Sequence, residues 1–388
     1  MNSLYDIIGI PFGYLMSWIY KLVPNYAWAI IIFTLVTKLL MFPINYKTQK
    51  SAARMQLLQP KLQKLQKSFS NNPTRLQEEQ QKLYQEEGIN PMGSCLPAFV
   101  QMFLLFGVID VVYKPITHIL HITKSIRTAA ISKASELAEK FGDVNGGNAI
   151  TNGNLRNELL TMESLNKHPD EFNNFGENFR EVVTSFSDNF TVLGANLGKT
   201  PTLHPAEWNS EAVILMLIPF LAGLSQLLVS LYSMIHQKKV NPTAQAGGGC
   251  MTVMMLLMPI MSIWFAFEVP AGVGFYWIWS SIFSFLVTLG LNLYFTQDKI
   301  VAINEKEKEK ARIYAEKHPE KKTFMQRMLE QQAALEQQNG TSAKSDSGEK
   351  MSRSEQNKQN RDAINEARRK MAEKYGDIYD ESNENDDQ

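Results

Sequence analysis

The side chains that most often carry chemistry are sparse in this sequence and poorly placed for it. His118 and His121 fall on one helical face, as two metal ligands would, but no third ligand stands near and the pair reads as surface histidines. Of the 2 cysteines, Cys95 and Cys250 each sit where an apolar segment meets a loop, which implies neither a disulfide framework nor a thiolate site. Gly247-Gly248-Gly249 has no neighbouring Lys-Ser or strand and reads as a flexible linker, not a phosphate cradle. Asn189-Phe190-Thr191 fits a glycosylation acceptor, a short pattern that arises often by chance. No serine–histidine pair or facing carboxylates appear. An enzyme, a cofactor or a resident metal is therefore not expected.

Polar residues inside apolar segments are more informative, because a charge at a bilayer centre costs ~2.5–3.5 kcal/mol on insertion scales. Lys38 lies five residues before Pro43, about 7 Å from the inner end of its segment. Its long side chain can snorkel to the interface, or it can face a water-filled cavity. Depth favours the cavity. Gln101 stands about two turns into the second apolar segment, and Ser225 and Gln226 lie late in the third, at a similar level. Ser280, Ser281 and Ser284 add polar groups on the fifth. Asp110 is a turn or more too high to pair with Lys38 and reads as an interfacial carboxylate.

The elements that must position these residues are helical. The net charge is +0 and the mean hydropathy −0.21, an average that hides five segments apolar for about the ~20 residues a spanning helix needs. The expected fold is an all-α membrane protein with five spans, over residues 26–44, 92–113, 211–235, 251–268 and 272–296. Residues 1–25 form an interfacial segment, with an amphipathic helix expected over Pro11–Leu22. Residues 45–91 carry Met55, Leu58, Leu62, Leu65 and Phe69 at heptad-like spacing, then Leu76 and Leu83, with a break at Ser70-Asn71-Asn72-Pro73. This is an antiparallel helical hairpin. Residues 114–210 form a polar insert with helices expected over Thr128–Phe141 and Glu171–Phe186. It reads as too small and polar for a large core, and as folding separately. Residues 236–250 are a loop, and 297–388 a tail that is disordered beyond 339.

Lys and Arg near the spans set the orientation. The hairpin carries eight, including Lys47, Lys50 and Arg54; Lys238, Lys239, Lys299 and Lys306 flank other spans. Hairpin, 236–250 loop and C-terminus are expected in the cytoplasm, and the N-terminus and insert outside. Met251, Met254, Met255, Met258 and Met261 make the fourth span a flexible surface for varied apolar partners, or plain lipid-facing filler.

The chain resembles the YidC/Oxa family of membrane protein insertases. The resemblance rests on Lys38 with Pro43, Leu58-Gln59-Pro60-Lys61, Leu83-Tyr84, Ile89-Asn90-Pro91-Met92-Gly93, Cys95-Leu96-Pro97 with Gln101, and Val269-Pro270-Ala271-Gly272 leading to Phe275-Tyr276-Trp277. It implies a five-span core with a hydrophilic groove open to the cytoplasm and to lipid, lined by Lys38, Gln101, Ser225, Gln226, Trp277, Ser280, Ser281 and Ser284. It also implies insertion of newly made membrane proteins without ATP, alone or beside the Sec translocon, with the ribosome as a further partner and no DNA. A plasma-membrane protein of the single-membrane bacterial type is implied, since no large domain precedes the first span. Two features depart from the family. Its groove charge is usually arginine, and the insert is much longer than usual. A solute carrier or channel, or a membrane scaffold, is the competing reading. A carrier would more often show internal repeats and paired ionisable groups.

Overall fold

The computed structural model describes residues 4–89, 96–141, 154–176, 178–240 and 249–317. The Asn90-Pro91-Met92-Gly93 run, Cys95, Gly247, Gly248 and the tail beyond residue 317 lie outside the described residues. So do the side chains of Cys250, Met251, Met254 and Met255. Residues 1–313 form one compact unit, and the segment from Tyr314 onward forms another, of which only the first residues are described.

The described chain is almost wholly helical. α1 spans Leu4–Leu22, α2 Tyr26–Ser68, α3 Pro73–Glu86 and α4 Leu96–Tyr113. The insert contributes α5 (Pro115–His118), α6 (Lys124–Phe141), α7 (Asn157–Lys167), a 3-10 turn (Pro169–Phe172), α8 (Phe179–Asn189), and the strands β1 (Thr191–Val192) and β2 (Ala195–Asn196). Then come α9 (Ser210–Val240), α10 (Gly249–Glu268), α11 (Ala271–Tyr294) and α12 (Gln297–Lys317). Three helices are long and apolar enough to cross a membrane: Tyr26–Ser68, Ser210–Lys239 and Ala271–Tyr294. Phe99–Tyr113 and Leu257–Glu268 are shorter apolar helices.

α2 corrects the expected boundary at 44–45. Its 43 residues run on through Pro43 and Pro60, so the first span and the first arm of the helical hairpin are one rod about 64 Å long. Asn25 caps its start by accepting the Trp28 N–H at 3.1 Å. Asn72 caps α3 in the same way, accepting the Arg75 N–H at 3.0 Å, with Pro73 at the first helical position. The expected seam holds the two arms: Leu58, Leu62 and Ile89 bury against Met55, Leu83 and Tyr84.

α1 begins earlier than expected and passes straight through Pro11. Its packing on α4 explains its glycines. A Cβ on Gly9 would lie 2.0 Å from Asp110 Oδ2, one on Gly13 2.5 Å from His118 Nδ1, and one on Gly107 of α4 2.1 Å from the Phe12 ring. Small residues let the two helices touch. The opposite face of α1 leaves Tyr14, Trp18 and Leu22 exposed, as suits an interfacial helix.

Two expectations about this region are corrected. Asp110 is fully buried, 2.7 Å from Lys114 Nζ and 2.6 Å from His118 Nε2. His118 is buried too, so it is not the surface histidine expected; His121 is exposed as expected, stacking on Tyr14 and lying 3.0 Å from the Ser17 hydroxyl. Burial of a carboxylate demands partners, and the turn at Lys114-Pro115 brings two back to it.

The insert does not fold apart from the spans. Its Phe172, Phe179, Val183, Phe186, Phe190 and Leu197 belong to the same buried cluster as Met16, Tyr26, Phe33, Val111 and Tyr276. α7, unread in the sequence, buries Leu159, Met162 and Leu165. Its Glu158 accepts the Thr117 N–H at 2.9 Å and pairs with Arg127, fixing the insert to the end of α4.

At the other end of the spans, α12 docks on the helical hairpin. Leu291, Phe295 and Ile300 bury against Tyr46, Ala53, Leu57 and Ile303. Buried Arg54 donates to Asn304 Oδ1 at 2.8 Å and to the carbonyls of Glu87 and Gly88 at 2.8 and 3.3 Å. Buried Glu87 accepts Lys61 at 2.6 Å and Lys308 at 3.3 Å. Burial pushes the Glu87 carboxyl up, but the hydrogen bonds and charges of Lys61 and Lys308 outweigh it and hold the group below the ordinary carboxylate range.

Two outcomes follow from this packing. Gly13→Val should push α1 off His118 of α5 and cost ~1–3 kcal/mol of stability, read by thermal unfolding in detergent against Gly13→Ala as the smaller step. Because the Glu87 pKa is depressed on folding, its stabilisation is complete above the unfolded carboxylate value of ~4.3 and is lost as pH falls below it. Hydrogen-exchange protection of residues 297–313 should therefore drop in that acid window, and Glu87→Gln should remove most of the drop.

Candidate functional site: a polar cluster around Lys38

The cluster starts from one helix face. Thr34, Thr37 and Lys38 stand three and four apart on α2, all buried, with Lys38 only 6% exposed. The two threonines turn back on their own helix, Thr34 onto the Ile30 carbonyl at 2.6 Å and Thr37 onto the Thr34 carbonyl at 2.9 Å. Lys38 reaches across. Its Nζ donates to Ser284 Oγ of α11 at 2.9 Å and to Gln101 Oε1 of α4 at 3.3 Å. Gln101 Nε2 in turn donates to the Tyr276 hydroxyl at 3.4 Å, which also hydrogen-bonds Ser280.

Three helices thus converge on one ammonium, and every partner is neutral. Among the described residues no carboxylate pairs with Lys38. An ammonium has three protons, and two are engaged here. The third can take water or an incoming acceptor. A buried cation held only by neutral dipoles keeps its field, whereas a salt bridge would have cancelled it.

The structure divides the sequence-derived set. Lys38, Gln101, Ser280 and Ser284 meet in this cluster. Ser281 and Gln226 form a second bond, 3.0 Å long, joining α11 to α9. Ser225 instead donates to its own helix at the Ala222 carbonyl, 2.8 Å away. Trp277 packs on Phe265 of α10 with ring centroids 5.5 Å apart, on the apolar side of α11. Tyr276 was missed as a site residue. A tyrosine in an apolar run reads as an interface ring, yet this one is fully buried and braces Gln101.

Outside this cluster the exposed surfaces of α9 and α10 are apolar. Leu217, Leu221, Leu224 and Leu228 of α9 and Met258, Met261 and Trp264 of α10 are all exposed, as faces turned to lipid require. Among the described residues no group of three or more His, Cys, Asp and Glu side chains is placed to hold a metal ion.

Residues 18–299 match the family described as 60Kd inner membrane protein. The chain belongs to that family. Relatives named "Membrane protein insertase YidC" include those of Clostridium tetani, 44% identical over 108 residues, 27% of this chain and 48% of that protein, and Granulibacter bethesdensis, 27% identical over 274 residues, 71% of this chain and 36% of that protein. That of Wolinella succinogenes is 37% identical over 106 residues, 27% of this chain and 20% of that protein. The chain thus matches less than half the length of each of these relatives. Family membership and the apolar helices together make it a multi-pass membrane protein.

Gln101 and Tyr276 support the ammonium without carrying charge. Gln101→Leu should remove one acceptor from Lys38 and leave the Tyr276 hydroxyl buried with one partner fewer, at a cost of ~1–3 kcal/mol. The double variant Gln101→Leu/Tyr276→Phe should cost less than the sum of the singles, measured as a double-mutant cycle on unfolding.

Proposed function

We propose that this chain is a membrane protein insertase and chaperone, with no covalent catalysis. In this reading it moves apolar segments of newly made proteins into the plasma membrane through a groove centred on Lys38. The observation that carries the reading is the buried Lys38 ammonium held by neutral side chains from two other helices. Such a site attracts an acidic or polar stretch of substrate partway into the bilayer, while the exposed apolar faces of α9 and α10 receive the hydrophobic part. The names of the relatives support the same reading. A carrier that moves charged solutes would more often pair its ionisable groups, and Lys38 has no such partner among the described residues.

The proposed topology has five spans, the N-terminus and the 114–210 insert outside, and the helical hairpin and tail in the cytoplasm, following the Lys and Arg distribution. Nascent membrane proteins are the proposed substrates. The Sec translocon and the ribosome are proposed partners, the latter through the hairpin and tail.

Rescue of cells depleted of their own insertase tests the function directly. The groove is tested with paired reporters, one with an acidic outer tail and one with a neutral tail. One charge pair is worth ~1–4 kcal/mol between bulk water and an effective dielectric of about 20, so Lys38→Ala should slow insertion of the acidic reporter about tenfold or more. Lys38→Arg should keep most activity, Lys38→Glu should be worst, and the neutral reporter should change little. Full activity of Lys38→Ala on the acidic reporter, at matched protein level, would refute the groove assignment.

A further inference from the structure

The Lys38 cluster has two very different ends. Toward the helical hairpin the helices are joined by polar bonds: Gln49 to Asn292, Asn292 to the Tyr232 hydroxyl at 3.4 Å, and Lys50 to Glu307 at 2.9 Å. In the opposite direction along α2, Thr34, Phe33, Ile30 and Tyr26 are each at most 1% exposed. The last apolar layer on that side belongs to the insert. The Phe190 ring stands 4.3 Å from the Tyr26 ring, Phe186 stands 5.7 Å from it, and Ala195 and Leu197 are fully buried.

The same short stretch is bonded to the ends of two further helices. The Ala271 and Gly272 N–H groups open α11, and a helix start leaves such groups without intrahelical partners. They donate to the Lys199 and Leu197 carbonyls at 2.9 and 2.8 Å. A Cβ on Gly272 would stand 3.2 Å from Val112, so the approach is close. Glu211, in the first turn of α9, accepts the Asn196 N–H at 3.1 Å and the Lys199 ammonium at 2.7 Å. Residues 190–200 therefore touch α2 through Tyr26, α9 through Glu211 and α11 through its first amides.

We propose that residues 190–200 of the insert are a fixed lid on the groove. The lid closes the end of the bundle away from the helical hairpin and clamps the ends of α2, α9 and α11 together there. Water and polar chain then reach Lys38 from the hairpin end, and an apolar segment leaves sideways into lipid. Which compartment the lid faces rests on the topology proposed above; that it closes one end rests on the packing alone.

The test is thiol accessibility in the full chain with Cys95 and Cys250 replaced by serine. Thr34→Cys places a thiol one turn from Lys38 on the lid side. A membrane-impermeant maleimide is applied to right-side-out and inside-out vesicles. With the lid intact, Thr34→Cys should stay unlabelled from the lid side. Phe190→Ala/Leu197→Ala should raise labelling from that side about tenfold or more, since truncated core side chains leave a cavity and favour local opening. Phe190→Ala alone keeps the Leu197 side chain in the layer and should give a smaller rise. Fast labelling from the lid side of the intact chain, or no rise in either variant, would overturn the lid. An equal rise from both sides would mean general loosening and would also overturn it. Leu193→Cys at the exposed β-turn and Asn71→Cys at the hairpin tip report the topology independently. If both label from one side, the five-span topology fails, and the lid is still decided on the side where Leu193→Cys reacts.

Discussion

A buried positive charge without a counter-ion among the described residues is the constraint around which this bundle is organised. A lysine at that depth is tolerated when its ammonium finds hydrogen-bond acceptors and some access to water. Ser284 and Gln101 supply the acceptors, and they stand on different helices from Lys38 and from each other. Satisfying the charge therefore fixes how α2, α4 and α11 pack. Tyr276 extends the arrangement by one bond, since Gln101 must be turned with its carbonyl to Lys38 and its amide to the tyrosine hydroxyl. The orientation of that amide holds the ammonium in place; the charge is the ammonium's own.

How far the site was legible depended on the kind of signal. Lys38, Gln101 and Ser284 could be placed together because helical rise converts sequence position into depth, and depth is shared by all spans. Direction around a helix is harder to read. Ser225 sits at the right depth but turns onto its own backbone, and Trp277 faces α10. Arg54 and Glu87 were invisible for another reason. In a polar helical arm any charged residue looks solvated, and only the return of α12 buries these two. Asp110 and His118 depended on a turn at Lys114-Pro115 and on the absence of a side chain at Gly9 and Gly13. A glycine read alone says only that the backbone is free there.

The insert was misread for a reason of scale. Its composition is polar on average, and α7, at 11 residues, gives only a weak periodic signal, while the helix expected over Glu171–Phe186 forms later in the chain, as α8. A small domain of that composition would have a weak core if it stood alone. It does not stand alone. Its phenylalanines and Leu197 bury against the apolar ends of α1 and α2, so the spans supply half of the core the insert lacks.

This sharing has a mechanical consequence. The bundle end near the insert is held by apolar packing and by backbone bonds to the start of α11, interactions that must be lost together if they are lost at all. The end near the helical hairpin adds side-chain bonds between polar groups to its own apolar cluster, and the part-exposed pair Lys50 with Glu307 is one that water can replace at small net cost. The polar cluster lies between the two ends, bonded to both α4 and α11. The long rod of α2 joins them, so a load on the helical hairpin is carried without a break in the helix to the turn that holds Lys38.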